Sequence, residues 1–236
     1  MNSRIKKTFL SPKKKLVTFV TGGDPNLNLS KKIIDVIAKN GADIIEIGMP
    51  FSDPMADGPT IQLSSNRAIK NGTDLKNIFS ICNNFRKKNK IIPIILMGYY
   101  NVILSYGIKK FVNSCIKNGV DGLIIVDLQP EEDTDLLHEI NKKKINLIRL
   151  ITPTTDSKRL KIILKNASGF LYYVTVTGIT GQNSANINEL KQSIKKIRKQ
   201  TNLPIVAGFG IKTVRQLKEV CDIANGGVVG SSIVKI

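Results

Sequence analysis

The sequence predicts an α/β fold built around one parallel sheet. Short apolar runs rich in β-branched residues alternate along the chain with longer amphipathic runs, which is the pattern of repeated βα units. Eight such apolar runs are present in a chain of 236 residues, of which 42% are hydrophobic, enough for one well-buried domain. We therefore predict that residues 1–236 form a single-domain (β/α)8 barrel, a TIM barrel.

The predicted strands follow one another in chain order, each with room for a helix behind it. They are LVTFV, DIIEIG, IIPIILM, GLIIVD, NLIRLI, GFLYYVT, LPIVAG and GGVVG. Three helix-to-strand junctions contain Asn-Gly, at Asn40-Gly41, Asn118-Gly119 and Asn225-Gly226, where glycine suits the left-handed end of a helix. Such junctions belong to the stabilising end of a barrel, so the active site is expected on the loops that leave the carboxyl ends of the strands.

The strong positive charge is not expected to indicate a nucleic-acid partner. The net charge of +18 comes from 36 basic and 18 acidic residues. The lysines are scattered over helix-like segments without interleaved aromatic residues or a recognisable nucleic-acid motif, so we interpret them as solvated helix faces.

No apolar run approaches the ~18 residues that span a bilayer, and the start has no secretory core, so no membrane association is predicted. The basic start MNSRIKKTFLSPKKK is compatible with a transit peptide but enters the first strand directly, and we expect a cytoplasmic protein.

The cysteines and the single histidine do not suggest a metal site. Cys82, Cys115 and Cys221 are odd in number, far apart and in helix-like stretches, which favours reduced core thiols over a disulfide framework. His138 lies in the helix-like segment DTDLLHEI, where a surface position is the simpler interpretation. We predict no metal ligands in this chain.

The segment ADIIEIGMPFSDPMADGPTIQ, residues 42–62, contains the most informative acids. Glu46 alternates in phase with Ile44 and Gly48, so in a strand it shares their face. A buried charge there costs several kcal/mol unless it has a task or a partner. The following loop holds Asp53 and Asp57 among prolines and a glycine, a composition that fixes the direction of a side chain. The alternative is a strand-end acid that reaches water.

Two late loops have the composition of a phosphate site. Gly208-Phe209-Gly210 follows the seventh predicted strand and Gly230-Ser231-Ser232 follows the eighth, where barrels bind phosphate. Glycine lets backbone N–H groups approach an anion, and a helix that begins at Ser231 would direct its positive end toward it. A third loop, TGITG, offers Thr180 and Gly181 as a lid over the same anion.

At these residues the chain resembles the alpha subunit of tryptophan synthase, whose signature reads much like EIGMPFSDPMADGPTIQ. The similarity continues through TFVTGGDP, LMGYYN, VDGLIIVD, VTGITG, VAGFGI and GSSIVKI, and so covers nearly the whole chain. The resemblance implies a lyase of tryptophan biosynthesis that splits indole-3-glycerol phosphate into indole and glyceraldehyde 3-phosphate by a reverse-aldol step. It also implies a beta subunit as partner in an alpha2beta2 hetero-tetramer, with pyridoxal phosphate in the beta subunit and no cofactor in this chain.

The residues fit a reverse-aldol step that uses the indole ring itself as the electron sink. Aldolases usually rely on a lysine Schiff base or a metal, whereas this chain has no lysine inside a predicted strand and no predicted metal site. By resemblance, Glu46 is the acid–base that protonates indole C3, and Asp57 is the carboxylate that accepts the ring N–H. The other site residues implied by the resemblance are the pocket residues Phe19, Ile61, Tyr99 and Tyr172, and the phosphate contacts Thr180, Gly181, Gly210, Gly230 and Ser231.

The chain departs from the family pattern in ways that leave other functions open. The family extends by roughly another helix beyond GSSIVKI, so we expect a barrel without the full C-terminal helix. The lid lacks an arginine, and Gln129 replaces a proline. These changes suggest two alternatives, a weakened subunit retained to activate the beta partner, or another phosphate-binding barrel enzyme such as a sugar-phosphate epimerase. Asp127 resembles a partner-contacting acid or a helix cap, and Arg149 within NLIRLI has no explanation from sequence.

Overall fold

The structure, a computed structural model, describes residues 4–175, 184–208 and 210–235, and for residues 184–186 it describes the backbone alone. Within these ranges nine strands form one sheet whose pairings are all parallel. They are β1 (Lys15–Thr21), β2 (Ile44–Gly48), β3 (Ile94–Gly98), β4 (Gly122–Ile125), β5 (Asn146–Leu147), β6 (Arg149–Ile151), β7 (Leu171–Val174), β8 (Ile205–Gly208) and β9 (Gly226–Val229).

The order of the strands closes the sheet into a barrel. Hydrogen-bonded neighbours run β5-β4-β3-β2-β1-β9-β8-β7-β6, and only Ile148 separates β5 from β6. The two ends of the sheet are therefore the two halves of one strand, and the predicted TIM barrel is confirmed. The fifth predicted strand differs in being divided, because its first half pairs with β4 and its second half pairs with β7.

Eleven helices accompany the strands in the described residues. They are α1 (Arg4–Leu10), α2 (Leu27–Lys39), α3 (Pro59–Lys70), α4 (Leu75–Lys88), α5 (Tyr100–Tyr106), α6 (Ile108–Lys117), α7 (Thr134–Lys143), α8 (Ser157–Lys165), α9 (Ser184–Arg198), α10 (Val214–Ile223) and α11 (Ser231–Val234). Local sequence sets several starts, since the side chains of Asn26, Asp74, Asp156 and Thr213 each accept a backbone N–H bond from the first turn of the helix that follows.

Strand residues alternate between the barrel interior and the layer under the helices. In β2, Ile44 belongs to the interior cluster, whereas Ile45 and Ile47 pack in the outer cluster against the helices. Glu46 is therefore directed to the interior, as its phase with Ile44 predicts. The sequence gives this result because the side chains of a strand alternate with a period of two.

Helix α1, which the sequence did not predict, covers the amino-terminal end of the barrel. Ile5 is fully buried in the interior cluster, and the rings of Phe9 and Phe170 lie 5.7 Å apart. Arg4 donates to Asp121 at 2.7 Å, and the buried Arg86 donates to the other oxygen of the same carboxylate at 2.9 Å. This end of the barrel is thus closed by apolar contacts and by one carboxylate shared between two arginines.

Two of the three Asn-Gly junctions behave as predicted. Gly41 and Gly119 follow the last turns of α2 and α6 with φ of +101° and +72°. The third differs, because Gly226 is the first residue of β9 and has no positive φ. A Cβ at Gly226 would lie 2.4 Å from the carbonyl oxygen of Lys15, so glycine is required there for the close approach of β9 to β1.

After β9 the described chain continues with α11, which contains four residues. Beside α11, helices α2 and α3 leave a groove of about 810 Å³ in which Val36 and Leu63 are exposed. Across the described ranges, every helix is too short or too polar to cross a lipid bilayer.

Candidate active site

Glu46 lies inside the barrel near the carboxyl end of β2. In register it stands between Phe19 of β1 and Ile95 of β3, and its side chain is 1% exposed. Burial raises the pKa of Glu46 to about 8, and the negative charge of Asp57 contributes in the same direction. The Oε2 atom has no hydrogen-bond partner among the described residues. Glu46 therefore holds a proton at neutral pH, and one of its oxygens remains available to a ligand.

Asp57 is positioned by the loop that joins β2 to α3. Its backbone N–H donates to the carbonyl of Pro54 at 3.0 Å, and its carbonyl accepts the side-chain amide of Gln62 at 2.8 Å. Helix α3 then begins with Pro59 in its first turn, where a missing N–H costs nothing. Asp57 is half-buried, whereas Asp53 in the same loop is exposed. Of the two loop acids, only Asp57 is thus held against the barrel.

Tyr99 is the hydrogen-bond partner of Asp57. It follows β3 and is 2% exposed, and its hydroxyl donates to Asp57 Oδ2 at 3.1 Å while accepting the N–H of Ala56 at 3.0 Å. Its ring packs on Phe51 with 5.3 Å between centroids. Burial raises the pKa of Asp57, while the bond from Tyr99 opposes that rise by favouring the carboxylate.

The resemblance implies that Tyr99 is a pocket residue, but it does not predict the bond from Tyr99 to Asp57. The bond could not be foreseen from the motif LMGYYN, because the distance between the two loops depends on how the β2–α3 loop folds.

Three further predicted residues lie at the same end of the barrel. Tyr172 is buried on β7 within the interior cluster, and its pKa is raised well above the ordinary value by burial and by the charges of Glu46 and Asp57. Phe19 is the strand neighbour of Glu46, and Ile61 is buried in the first turn of α3. Both acids therefore contribute to the electrostatic environment of Tyr172.

The two glycine loops lie next to this group, because β9 pairs with β1 and β8 pairs with β9. Gly230 precedes α11 directly and lies against Phe19, since a Cβ on Gly230 would be 3.2 Å from the Cβ of Phe19. Gly210 has a φ of +75°, which glycine adopts without strain. Ser232 Oγ donates to the carbonyl of Ile211 at 2.8 Å and so ties the two loops together. Helix α11 begins at Ser231, as predicted.

Some predicted positions cannot be compared with the structure. Thr180 and Gly181 of the lid lie outside the described residues, as does Phe209 of the first glycine loop. The structure describes the other predicted site residues, which are Phe19, Glu46, Asp57, Ile61, Tyr99, Tyr172, Gly210, Gly230 and Ser231.

Two of the three cysteines are core thiols as predicted, whereas Cys221 is half-buried, and the single histidine lies at the surface. Cys82 and Cys115 are buried and free in α4 and α6, and burial raises the pKa of Cys82 to about 12. His138 is exposed on α7 beside Lys142, with 2.7 Å between His138 Nε2 and Lys142 Nζ. In the ranges that the structure describes, no three His, Cys, Asp or Glu side chains are grouped as metal ligands.

Asp127 and Arg149 also have partners in the structure. Asp127 Oδ1 accepts the N–H of Tyr100, the first residue of α5, at 2.8 Å, so Asp127 caps the helix of the preceding unit rather than the helix that follows it. Arg149 forms a buried ion pair with Asp133 and donates to the carbonyl of Leu128 at 3.2 Å. Burial lowers the pKa of Arg149 to about 10, so the guanidinium stays charged at neutral pH.

Comparisons with known proteins agree with this geometry. The family model described as tryptophan synthase alpha chain matches residues 6–236. A tryptophan synthase alpha chain from Geobacter sp. (strain M21) is 47% identical over 237 residues, which cover 99% of this chain and 88% of the relative. The crystal structure of tryptophan synthase subunit alpha from Legionella pneumophila str. Paris superposes with a TM-score of 0.92 at 36% identity, over 100% of this chain and 88% of that chain.

A Mycobacterium tuberculosis tryptophan synthase structure gives a TM-score of 0.92 at 26% identity, over 100% of this chain and 91% of that chain. The family acts with a beta subunit, and its reaction is the cleavage of indole-3-glycerol phosphate to indole and glyceraldehyde 3-phosphate. The lyase function that the resemblance implies is thereby confirmed. This chain belongs to the tryptophan synthase alpha chain family.

Proposed function

We propose that Glu46 and Asp57 together perform the cleavage of indole-3-glycerol phosphate in this chain. The observation that carries this proposal is a pair of acids with different environments at one end of the barrel. Glu46 is fully enclosed and holds its proton at neutral pH. Asp57 is half-buried and receives a hydrogen bond from Tyr99, which favours its charged form. Two acids whose environments separate their protonation states can divide the roles of proton donor and charge stabiliser.

The proton of Glu46 begins the reaction. Transfer of this proton to C3 of the indole ring leaves positive charge on the ring, centred on the nitrogen. Asp57 accepts the hydrogen bond of the ring N–H and stabilises that charge as it develops. The Glu46 carboxylate then removes the proton from the hydroxyl group on the side-chain carbon next to the ring. The carbon–carbon bond to C3 breaks, its electrons return to the ring, and indole, an aldehyde and protonated Glu46 result.

The phosphate group of the substrate would bind at the late glycine loops. Gly210, Gly230 and Ser231 follow β8 and β9, where phosphate sites of this fold occur, and their backbone N–H groups are proposed to bind the phosphate. Because Gly230 contacts Phe19, and Phe19 neighbours Glu46, one ligand can reach both the phosphate loops and the acids. Thr180 and Gly181 are proposed to add contacts from the lid.

The partner is proposed to be a tryptophan synthase beta subunit in an alpha2beta2 hetero-tetramer. The pyridoxal phosphate would belong to the beta subunit, and this chain would need no cofactor of its own for the steps above. A cytoplasmic location is proposed together with this role in biosynthesis.

The experiment is a measurement of indole release from indole-3-glycerol phosphate, with and without added beta subunit. The wild-type chain should release indole, and Glu46→Gln should abolish release while still binding phosphate ligands. Asp53→Asn is a matched control, because Asp53 is an exposed acid of the same loop as Asp57. Absence of indole with the wild-type chain under both conditions would overturn the proposal and favour a non-catalytic activator of the beta subunit.

A further inference from the structure

The barrel wall is open at one place near the active end. The ladder between β4 and β5 ends at Leu123 and Leu147, followed by a bond of 2.9 Å from the N–H of Ile148 to the carbonyl of Leu123. Beyond this point β6 pairs with β7, and no ladder joins β6 to β4 in the described residues. A polar cleft of about 380 Å³ lies at the opening, lined on one side by Asp127 and Leu128 and on the other by Arg149.

Arg149 bridges this opening with its side chain. The neighbours Ile148 and Leu150 face the barrel interior, so Arg149 is directed outward, under the loop that connects β4 to α7. There it donates to the carbonyl of Leu128 at 3.2 Å and pairs with Asp133. Asp133 occupies the N-cap position of α7, yet its carboxylate makes no capping bond. The carboxylate of Asp133 pairs with Arg149 instead. Arg149 therefore contacts the β4–α7 loop at both of its ends, at Leu128 and at Asp133.

The loop held by Arg149 in turn fixes the start of α5. Asp127 directly precedes Leu128, and its Oδ1 accepts the N–H of Tyr100 at 2.8 Å. Tyr99 occupies the N-cap position of α5 and makes no side-chain cap, so this helix start depends on a group from another loop. Tyr99 is also the residue whose hydroxyl donates to Asp57 at 3.1 Å. Arg149 is therefore connected with the carboxylate proposed to stabilise the indole nitrogen by three hydrogen bonds and by two pairs of residues that are adjacent in the chain.

We propose that Arg149 is a positioning residue for the cleavage, which acts by holding the β4–α7 loop so that Asp127 fixes the start of α5 and Tyr99 stays bonded to Asp57. This inference rests on the proposed role of Asp57. The competing explanation is that the ion pair serves stability alone. The two explanations separate experimentally, because a buried ion pair can often be exchanged for apolar side chains of similar size without loss of stability.

The test uses the full chain with its beta subunit and the double variant Arg149→Met, Asp133→Leu. This variant removes both charges at once and leaves no unpaired buried ion. A positioning role predicts a melting temperature close to that of the wild type, a kcat for indole release about tenfold lower, and little change in KM, since the phosphate loops follow β8 and β9. Arg149→Lys should recover part of the lost kcat, because an ammonium group can keep the ion pair but cannot reproduce the planar fork of donors.

Two controls make the result specific. Arg159→Met removes the other ion pair near the opening, that of Arg159 with Glu131, which is more exposed, and it should leave kcat unchanged. Adding Tyr99→Phe to the double variant should cause much less loss than Tyr99→Phe causes in the wild type, because both changes disturb the same bond to Asp57. Additive losses, or a double variant with wild-type kcat, would overturn the inference.

A readout independent of activity distinguishes failure of this inference from failure of the proposed function. The N–H of Ala56 donates to the Tyr99 oxygen at 3.0 Å, so its amide NMR signal reports the position of Tyr99. The double variant should shift this signal, and Arg159→Met should not. An unshifted Ala56 signal contradicts the inference even if the wild-type chain releases indole, whereas a wild-type chain that releases no indole contradicts the proposed function.

Discussion

Burial of Glu46 should make the folded chain less stable as pH rises. The pKa of Glu46 is about 8 in the fold, compared with an ordinary value of 4.5. Between these values the unfolded chain has lost the proton that the folded chain still binds, so rising pH favours the unfolded state. The stabilising contribution is complete below pH 4.5 and is lost as pH rises through about 8. At about 1.4 kcal/mol per pH unit, the full difference is about 5 kcal/mol.

The assay compares urea unfolding of the wild-type chain and Glu46→Gln at a series of pH values from about 5 to 9. Taking the difference between the two removes the contributions of the other titrating groups. From pH 5 to 9, the free energy of unfolding of the wild type should fall by about 4 kcal/mol relative to the variant. Asp53→Asn, which changes an exposed acid, should follow the wild type. A difference between wild type and Glu46→Gln that stays constant over this range would refute the argument that Glu46 is buried with its proton.

Other predictions concern rates and stability. The kcat for indole release should fall above about pH 8, because Glu46 loses its proton there. It should also fall at acid pH as Asp57 becomes protonated, with a midpoint above the ordinary carboxyl pKa of 3.8, because burial raises the pKa of Asp57. A kcat that does not change through pH 8 would contradict this prediction. Asp57→Asn should lower kcat by about a hundredfold or more, as removal of a charge-stabilising group does, with an unchanged circular dichroism spectrum. Tyr99→Phe should lower kcat about tenfold, the effect expected for one hydrogen bond to a charged group, and an unaltered kcat would exclude a role for this bond. Asp121→Asn should lower the free energy of unfolding by about 3 kcal/mol, measured in urea, because it weakens the bonds to Arg86, while the folded fraction keeps its kcat.

Much of the barrel could be predicted because its elements are encoded locally. The alternation of residues in the strand placed Glu46 on the same face as Ile44, and in the structure that face is the barrel interior, with Ile45 and Ile47 on the outer side. The start of α11 at Ser231 agrees with the helix considered for the loop after the eighth predicted strand. The division of the fifth strand could not be read from NLIRLI, because that run is continuous in sequence and is divided only by the choice of partner strand.

The contacts that could not be predicted join parts of the chain that are far apart in sequence. Arg149 was unexplained because its partner Asp133 lies in a different loop and looks like an ordinary helix cap. Tyr99 was expected in the pocket by resemblance alone, and nothing in its sequence neighbourhood indicates that the β2–α3 loop brings Asp57 to its hydroxyl. Pairings of this kind depend on tertiary geometry, to which local patterns are not sensitive.

The most direct test of the account is a crystal structure of this chain with an indole ring joined to phosphate by a short alkyl chain. The account predicts that the ring lies between the two acids, with its N–H on Asp57 and its C3 toward Glu46, and that the phosphate contacts Gly210, Gly230 and Ser231. Density that places the ring away from Asp57, or the phosphate away from both glycine loops, would contradict the account.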